Sequence, residues 1–170
     1  MTIRKATEDD AKGMAKVHVD TWRTTYTGIV PDEYLNNLSY QERENMWRQA
    51  IPHGGVYVAE VDGKVVGFAN GGKERSGNYP DYGSELYAIY ILKEYQGQGI
   101  GEKLVLSVAK NLVDQGYTSM LVLVLEDNPS KHFYELMGAG YIDNEELEIS
   151  GKKLKELVYG WSDLDSLVNS

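Results

Sequence analysis

No cysteine occurs anywhere in the 170 residues, which excludes disulfides, thiolate metal sites and a cysteine nucleophile together. Any acyl transfer by this chain is therefore direct or uses another side chain. Long apolar runs are missing as well. Nothing approaches the run of about eighteen apolar residues that a spanning helix requires, and Met1-Thr2-Ile3-Arg4-Lys5 leads into acidic residues where a signal peptide would place its apolar segment. The expectation is a soluble, cytoplasmic chain with no membrane partner. Positive charge is scarce: 17 Lys and Arg stand against 26 Asp and Glu, a formal net charge of −9. Phosphate backbones are held by clustered cations, so no nucleic-acid partner is expected. The acidic field favours a cationic small molecule in a cleft, and it also serves solubility. Histidine is limited to His18, His53 and His132. No metal-ligand spacing links them, so no metal is expected. Repeats and low-complexity tracts are absent, and the length suits one domain over 1–170.

What is present is organised around Glu85 to Gly101, E-L-Y-A-I-Y-I-L-K-E-Y-Q-G-Q-G-I-G. Leu86 to Leu92 is an unbroken apolar run and predicts a strand buried on both faces. Gly97, Gly99 and Gly101 follow, directly before the helically spaced segment from Glu102 to Ala109. A glycine-rich turn from strand to helix exposes bare backbone, and the helix start adds unpaired N–H groups and the positive end of its dipole. Its natural guest is an anion. A dinucleotide fingerprint would need glycine at Glu102 or at Leu104, and a triphosphate loop would need Gly-Lys-Ser/Thr, which occurs nowhere. Neither class fits.

The rest of the chain reads as follows. Thr2 to Ala6 is a short strand. Thr7 caps a helix whose apolar face, Met14, Ala15, Val17, Val19, Trp22 and Tyr26, runs down to Gly28. Core packing accounts for most of that face, with the lining of an acceptor pocket as the alternative for Trp22 and Tyr26 at its end. Pro31 to Leu35 suggests a turn of helix, and Ser39-x-x-Glu42 is a capping box for a helix from Tyr40 to Ala50. Val56 to Val61 and Lys64 to Ala69 flank Asp62-Gly63, a two-residue hairpin signature. Gly71 to Gly83 reads as a polar loop or the frayed end of a hairpin, delivering the chain to the central strand. After the glycine turn, a helix to about Gly116 and a second apolar strand, Ser119 to Leu125, complete a crossover unit, so the two apolar strands should be parallel. Asn128-Pro129 opens another helix, carrying Phe133 and Tyr134 and ending at Gly138. A hairpin, Ile142–Ile149 with Lys152–Tyr159, precedes Trp161 and a polar tail.

The pattern Gln96-x-x-Gly99-x-Gly101 after a buried strand resembles the coenzyme-binding signature of the GCN5-related N-acetyltransferases. Three further segments resemble that family in the same order: Thr21-Trp22-Arg23-Thr24-Thr25-Tyr26-x-Gly28, Asn128-x5-Tyr134-Glu135-Leu136-Met137-Gly138, and Glu148-Ile149-Ser150-Gly151-Lys152 with Glu156-Leu157-Val158-Tyr159-Gly160-Trp161. The resemblance implies a single-domain acyl-CoA N-acyltransferase fold of the α/β (α+β) class, a mixed central sheet with helices on both faces. It implies acetyl-CoA as co-substrate, with main-chain groups of Ile89, Tyr90 and Ile91 pairing with the pantetheine arm. Backbone N–H groups of Gln96, Gly97, Gln98, Gly99, Ile100 and Gly101 would hold the pyrophosphate. Asn128 would contact the pantetheine amides, a role it shares with plain helix capping. Tyr134 would sit at the thioester sulfur. Lys93 stands where the family often has proline, and Gly138-Ala139-Gly140-Tyr141 replaces a frequent Gly-Phe on the acceptor side.

The chemistry suits those roles. A leaving thiol has a pKa of about 8.5, whereas a phenol near about 10 stays protonated at neutral pH and can stabilise or protonate the departing sulfur. Glu85, bounding the central strand, is the candidate general base for the attacking amine. Trp22, Tyr26, Glu85 and Tyr87 are the candidate acceptor-binding residues. The expected reaction is transfer to a primary amine, small molecules favoured, within a ternary complex. Alternatives are a coenzyme-binding regulatory module without turnover and acetylation of a protein N-terminus or lysine. A homodimer is the default expectation for assembly.

Overall fold

The computed structural model describes residues 1–170. Seven strands form one sheet in the order β1-β2-β3-β4-β5-β7-β6. The strands are β1 (Thr2–Lys5), β2 (Val56–Val61), β3 (Lys64–Lys73), β4 (Ser84–Ile91), β5 (Met120–Leu125), β6 (Gly140–Ile149) and β7 (Lys152–Trp161). Only β4 and β5 pair in parallel, as a crossover through a helix requires. The sheet is therefore mixed, with α1 (Ala11–Tyr26), α2 (Asp32–Asn36) and α3 (Tyr40–Ala50) preceding the β2–β3 hairpin, and α4 (Ile100–Asp114), α5 (Ser130–Leu136) and α6 (Leu164–Val168) in the second half.

Local signals explain most boundaries. The Asp10 carboxylate accepts the Thr7 backbone N–H at 2.8 Å and turns the chain into α1. Ser39 Oγ accepts the Glu42 N–H and opens α3 at Tyr40. Asp62 and Gly63 both take positive φ, 52° and 78°, the left-handed pair that matches strand twist in a tight hairpin. Ser150 and Gly151 do the same for β6 and β7. One face of the sheet packs Phe68 edge-on against Trp47 of α3 at 4.8 Å, with His18 of α1 stacked on Tyr90 at 4.9 Å. Leu104, Val105, Val108, Ala109 and Leu112 of α4 are fully buried on the other.

Three expectations need correction. The polar loop does not start at Gly71. Gly71 and Gly72 pair with Leu86 and Glu85, so β3 runs on to Lys73. A side chain at Gly71 would lie 2.6 Å from Val108 and 2.8 Å from the Glu85 carbonyl; here glycine marks close approach rather than a turn. The polar tail after Trp161 is also not free. Asp163 caps α6 through the Ser166 N–H, and Leu164 and Leu167 are buried in the main core. Finally, β4 is enclosed only as far as Leu86, and Tyr87 through Ile91 are half-buried.

Candidate active site

That half-burial originates in a bulge. Asn70 and Gly71 are consecutive on β3, yet their partners on β4 are Ala88 and Leu86, so Tyr87 is an extra residue. Parallel pairing with β5 stops at the same place: Ser84, Glu85 and Leu86 face Met120, Leu121 and Val122. A bulge bends its strand and increases the local twist, so the segment beyond it swings away from β5. The gap is a cleft of about 430 Å³, walled by Tyr87–Ile91 on one side and Val122–Val124 on the other. Along this wall β4 has no neighbouring strand, and an extended ligand can add to such an edge.

At one end of the cleft lies the glycine loop. Gly97 and Gly99 hold φ at 75° and 82°, and a Cβ on either would meet no atom within 4 Å. The conformation demands glycine, and the space over the loop stays open. Gly99 leads directly into α4 at Ile100, so the unpaired amides of the first helical turn border the opening. Gly101 serves differently. A Cβ there would press on Phe133 at 3.2 Å and Ile91 at 3.3 Å, so its absence lets α4, α5 and β4 converge. Of the predicted loop residues, Gln96, Gly97, Gly99 and Gly101 border the cleft. Ile100 turns into the core and Gln98 is exposed. The Gln96 side chain donates to the Ile91 carbonyl at 2.9 Å, bracing the end of β4.

The other end is closed by α5 and α1. Asn128 is buried; its Oδ1 accepts the Ser130 N–H and its Nδ2 donates to the Tyr26 hydroxyl, both at 2.9 Å. One side chain thus caps α5 and ties it to the end of α1. Tyr134, 4 % exposed, borders the cleft with its ring edge-on to Trp161 at 6.2 Å. Burial raises its phenol well above the usual pKa, and the nearby Tyr26 and Tyr90 phenols push the same way. Burial raises Tyr26 too.

The acceptor candidates separate. Tyr26 and Tyr87 border the cleft. Trp22 packs at a tilt on Tyr26, ring centroids 4.4 Å apart, and on Tyr34 at 5.7 Å. Its buried indole N–H has no hydrogen-bond partner; the Tyr90 phenol is close enough to feel it but falls short of hydrogen-bond geometry. Glu85 is 2 % exposed and lies outside the cleft lining. Its carboxylate accepts Arg75 Nη2 at 2.6 Å, the Arg75 backbone N–H at 3.2 Å and Arg75 Nε at 3.4 Å. The Arg75 guanidinium also lies 4.3 Å over the Tyr87 ring, while the Tyr87 hydroxyl donates to the Lys73 carbonyl. Sequence reasoning missed Arg75, which sits in a Gly- and Ser-rich loop with no periodic signal. The bulge was missed for a related reason: an extra residue inside an apolar run leaves no mark in composition.

The model of the acetyltransferase (GNAT) family matches residues 16–139. The uncharacterized N-acetyltransferase YuaI of Bacillus subtilis is 45 % identical over 168 residues, covering 98 % of this chain and 96 % of that protein. Phosphinothricin N-acetyltransferase of Streptomyces viridochromogenes is 27 % identical over 135 residues, 79 % of this chain and 65 % of that one. Among solved structures, a putative acetyltransferase from Salmonella typhimurium with its cofactor acetyl-CoA superposes with a TM-score of 0.73 at 22 % identity, covering 97 % and 94 % of the two chains. The splayed parallel strands, the glycine loop at the mouth of α4 and the family match over most of the chain together place this protein in the GNAT family of acetyltransferases.

Proposed function

We propose that the protein moves the acetyl group of acetyl-CoA to the primary amine of a small cationic molecule, by direct attack in a ternary complex. The observation that carries the reading is the cleft opened by the Tyr87 bulge, which links an anion-ready glycine loop to the Tyr134 phenol. The residues present suit the coenzyme. The loop offers open backbone at Gly97 and Gly99 beside a helix start, which fits a pyrophosphate. The unpaired edge of Tyr87–Ile91 fits an amide-bearing arm, as does Asn128 at the α5 start. That solved relatives carry coenzyme A or acetyl-CoA supports the same assignment.

The raised pKa of Tyr134 refines its role. A phenol held well above its usual value is a far weaker acid than a thiol near about 8.5, so complete proton transfer from Tyr134 to the thiolate is uphill. Its part is to hold an O–H toward the departing sulfur and stabilise the developing charge, without a covalent step. A small acceptor is supported by the relative named for phosphinothricin, and a cationic one by Glu145 and Glu156, which lie near Glu85 and leave a net negative charge there after Arg75 balances one carboxylate.

The test is thiol release from acetyl-CoA over a panel of polyamines, amino acids, aminoglycosides and peptides, with calorimetric binding of acetyl-CoA. Tyr134→Phe should lower the maximal transfer rate by roughly 10²-fold with coenzyme affinity little changed. An unchanged rate would remove Tyr134 from the chemistry, and absence of any coenzyme binding by folded protein would end the proposal.

A further inference from the structure

An amine reaching this cleft at neutral pH arrives as an ammonium ion and must lose a proton before it attacks. Glu85 is occupied by Arg75. A second carboxylate on the same side is not. Glu156 of β7 is the ladder partner of Leu125 on β5 and of Glu145 on β6, and cross-strand partners share a face. Leu125 and Leu154, the latter two residues before Glu156 on the same strand face, belong to the buried cluster that includes Tyr26 and has Trp22 packed against it. Glu156, like Glu85, lies outside the residues that wall the cleft; it stands on the strand face that carries the cluster around Tyr26, which does border the cleft, and its charge is felt at the Tyr26 phenol. The groups around it are Glu85 from β4, Arg75 from the β3–β4 loop, Glu145 from β6 and Tyr26 from α1. Glu145 is already used, accepting the Tyr79 hydroxyl at 2.6 Å. No hydrogen bond acts on the half-buried Glu156 carboxylate, and Arg75 reaches it only as a distant charge. Burial, with Glu145 and Glu85 nearby, raises its pKa, which makes it a better proton acceptor than an ordinary carboxylate.

We infer that Glu156 is the carboxylate that receives the acceptor's ammonium group and takes its proton, and that Glu85, held by Arg75, is a positioning residue. The inference rests on the transfer reading above. In the step, the ammonium gives one proton to Glu156 and the freed lone pair forms the C–N bond to the thioester carbonyl. The C–S bond breaks and the sulfur leaves as a thiolate beside the Tyr134 hydroxyl. The second proton leaves nitrogen as the amide forms and converts the thiolate to thiol, while the proton on Glu156 passes to water.

The experiment uses the full chain with the best amine from the panel, following kcat/KM against pH for wild type, Glu156→Gln, Glu156→Asp and Glu85→Gln, with acetyl-CoA affinity and thermal midpoint for each. Glu156→Gln should lose about 10²-fold or more in kcat/KM at neutral pH and lose the acid-side limb of the profile. Its coenzyme affinity should match wild type. Its midpoint should be equal or higher, because the amide removes an unpaired carboxylate from a half-buried site; a merely structural residue would lower it. Glu156→Asp should keep the limb at reduced rate, and it carries the test should the glutamine variant not fold. Glu85→Gln should keep the limb. Wild-type rate and profile in Glu156→Gln, or loss of the limb in Glu85→Gln instead, overturns the inference while transfer stands. Wild type that binds acetyl-CoA yet acetylates no amine overturns both.

Discussion

Removing Arg75 should cost far more stability than removing the charge it neutralises. The two ends of the ion pair see different surroundings: the Glu85 side chain is 2 % exposed, whereas the Arg75 side chain is 58 % exposed. In Arg75→Ala the carboxylate keeps the backbone N–H at 3.2 Å but loses the guanidinium contacts and remains enclosed. Stranding a buried charge costs about 3–5 kcal/mol. Water entering the space vacated by a half-exposed side chain recovers part of that, so the expected loss is about 2–3 kcal/mol. In Glu85→Gln the guanidinium turns to solvent and one charge-assisted bond becomes neutral, for a loss of about 1 kcal/mol. The double variant should lie near Glu85→Gln, since no charge is left stranded. Urea unfolding of the four proteins gives the cycle, and a loss of about 2–3 kcal/mol corresponds to roughly 5–10 °C in midpoint for a chain of this size. Equal losses in the two single variants, or Arg75→Ala within about 0.5 kcal/mol of wild type, would refute the claim that Glu85 depends on Arg75.

Two further outcomes follow from the same structure. Gly99→Ala forces a side chain into positive φ, at a cost of about 1–2 kcal/mol in folding, and its methyl projects into open space over the loop. Acetyl-CoA affinity should fall by about tenfold or more while the protein still folds, and unchanged affinity in calorimetry would show that the loop backbone does not hold the coenzyme. His18 accepts the Trp47 indole N–H at 3.1 Å in a buried site, and burial lowers its pKa to about 4. The unfolded chain takes up this proton near about pH 6.5 and the native state does not until near pH 4. Stability from this group is therefore complete above pH 6.5 and falls as pH drops through that window, by about 2 kcal/mol between pH 7 and pH 5. His18→Gln, which keeps an acceptor for Trp47, should be less acid-sensitive by that amount in urea unfolding, and an identical pH dependence would refute it.

What the sequence disclosed depended on whether a feature is local. Helix caps at Thr7 and Ser39, the turns at Asp62-Gly63 and Ser150-Gly151, and the parallel pair implied by two apolar runs around a helix are dictated by neighbouring residues, and the structure has them. The family motifs were equally visible, since glycine and asparagine at fixed spacing are local too. The misses are all long-range. Gly71 and Gly72 carry the composition of a loop but sit in a strand because Val108 and Tyr87 press against them. Leu164 and Leu167 lie in a polar stretch whose burial depends on the α4 surface across the chain. Glu85 stands out as a carboxylate at a strand boundary, yet its partner Arg75 is ten residues away across a loop. Glu156 is one acid among many until the β5–β7 register sets it beside Leu125.

The opening between β4 and β5 is made by counting, not by chemistry: one surplus position at Tyr87 takes β4 out of step with β3, and the pairing with β5 ends just before it. Exchanging the side chains that line the gap therefore reshapes its walls without sealing it, which leaves acceptor preference free to drift. Excision of that single position would let β4 run on beside β5 and erase the groove while every other wall residue remained in the chain.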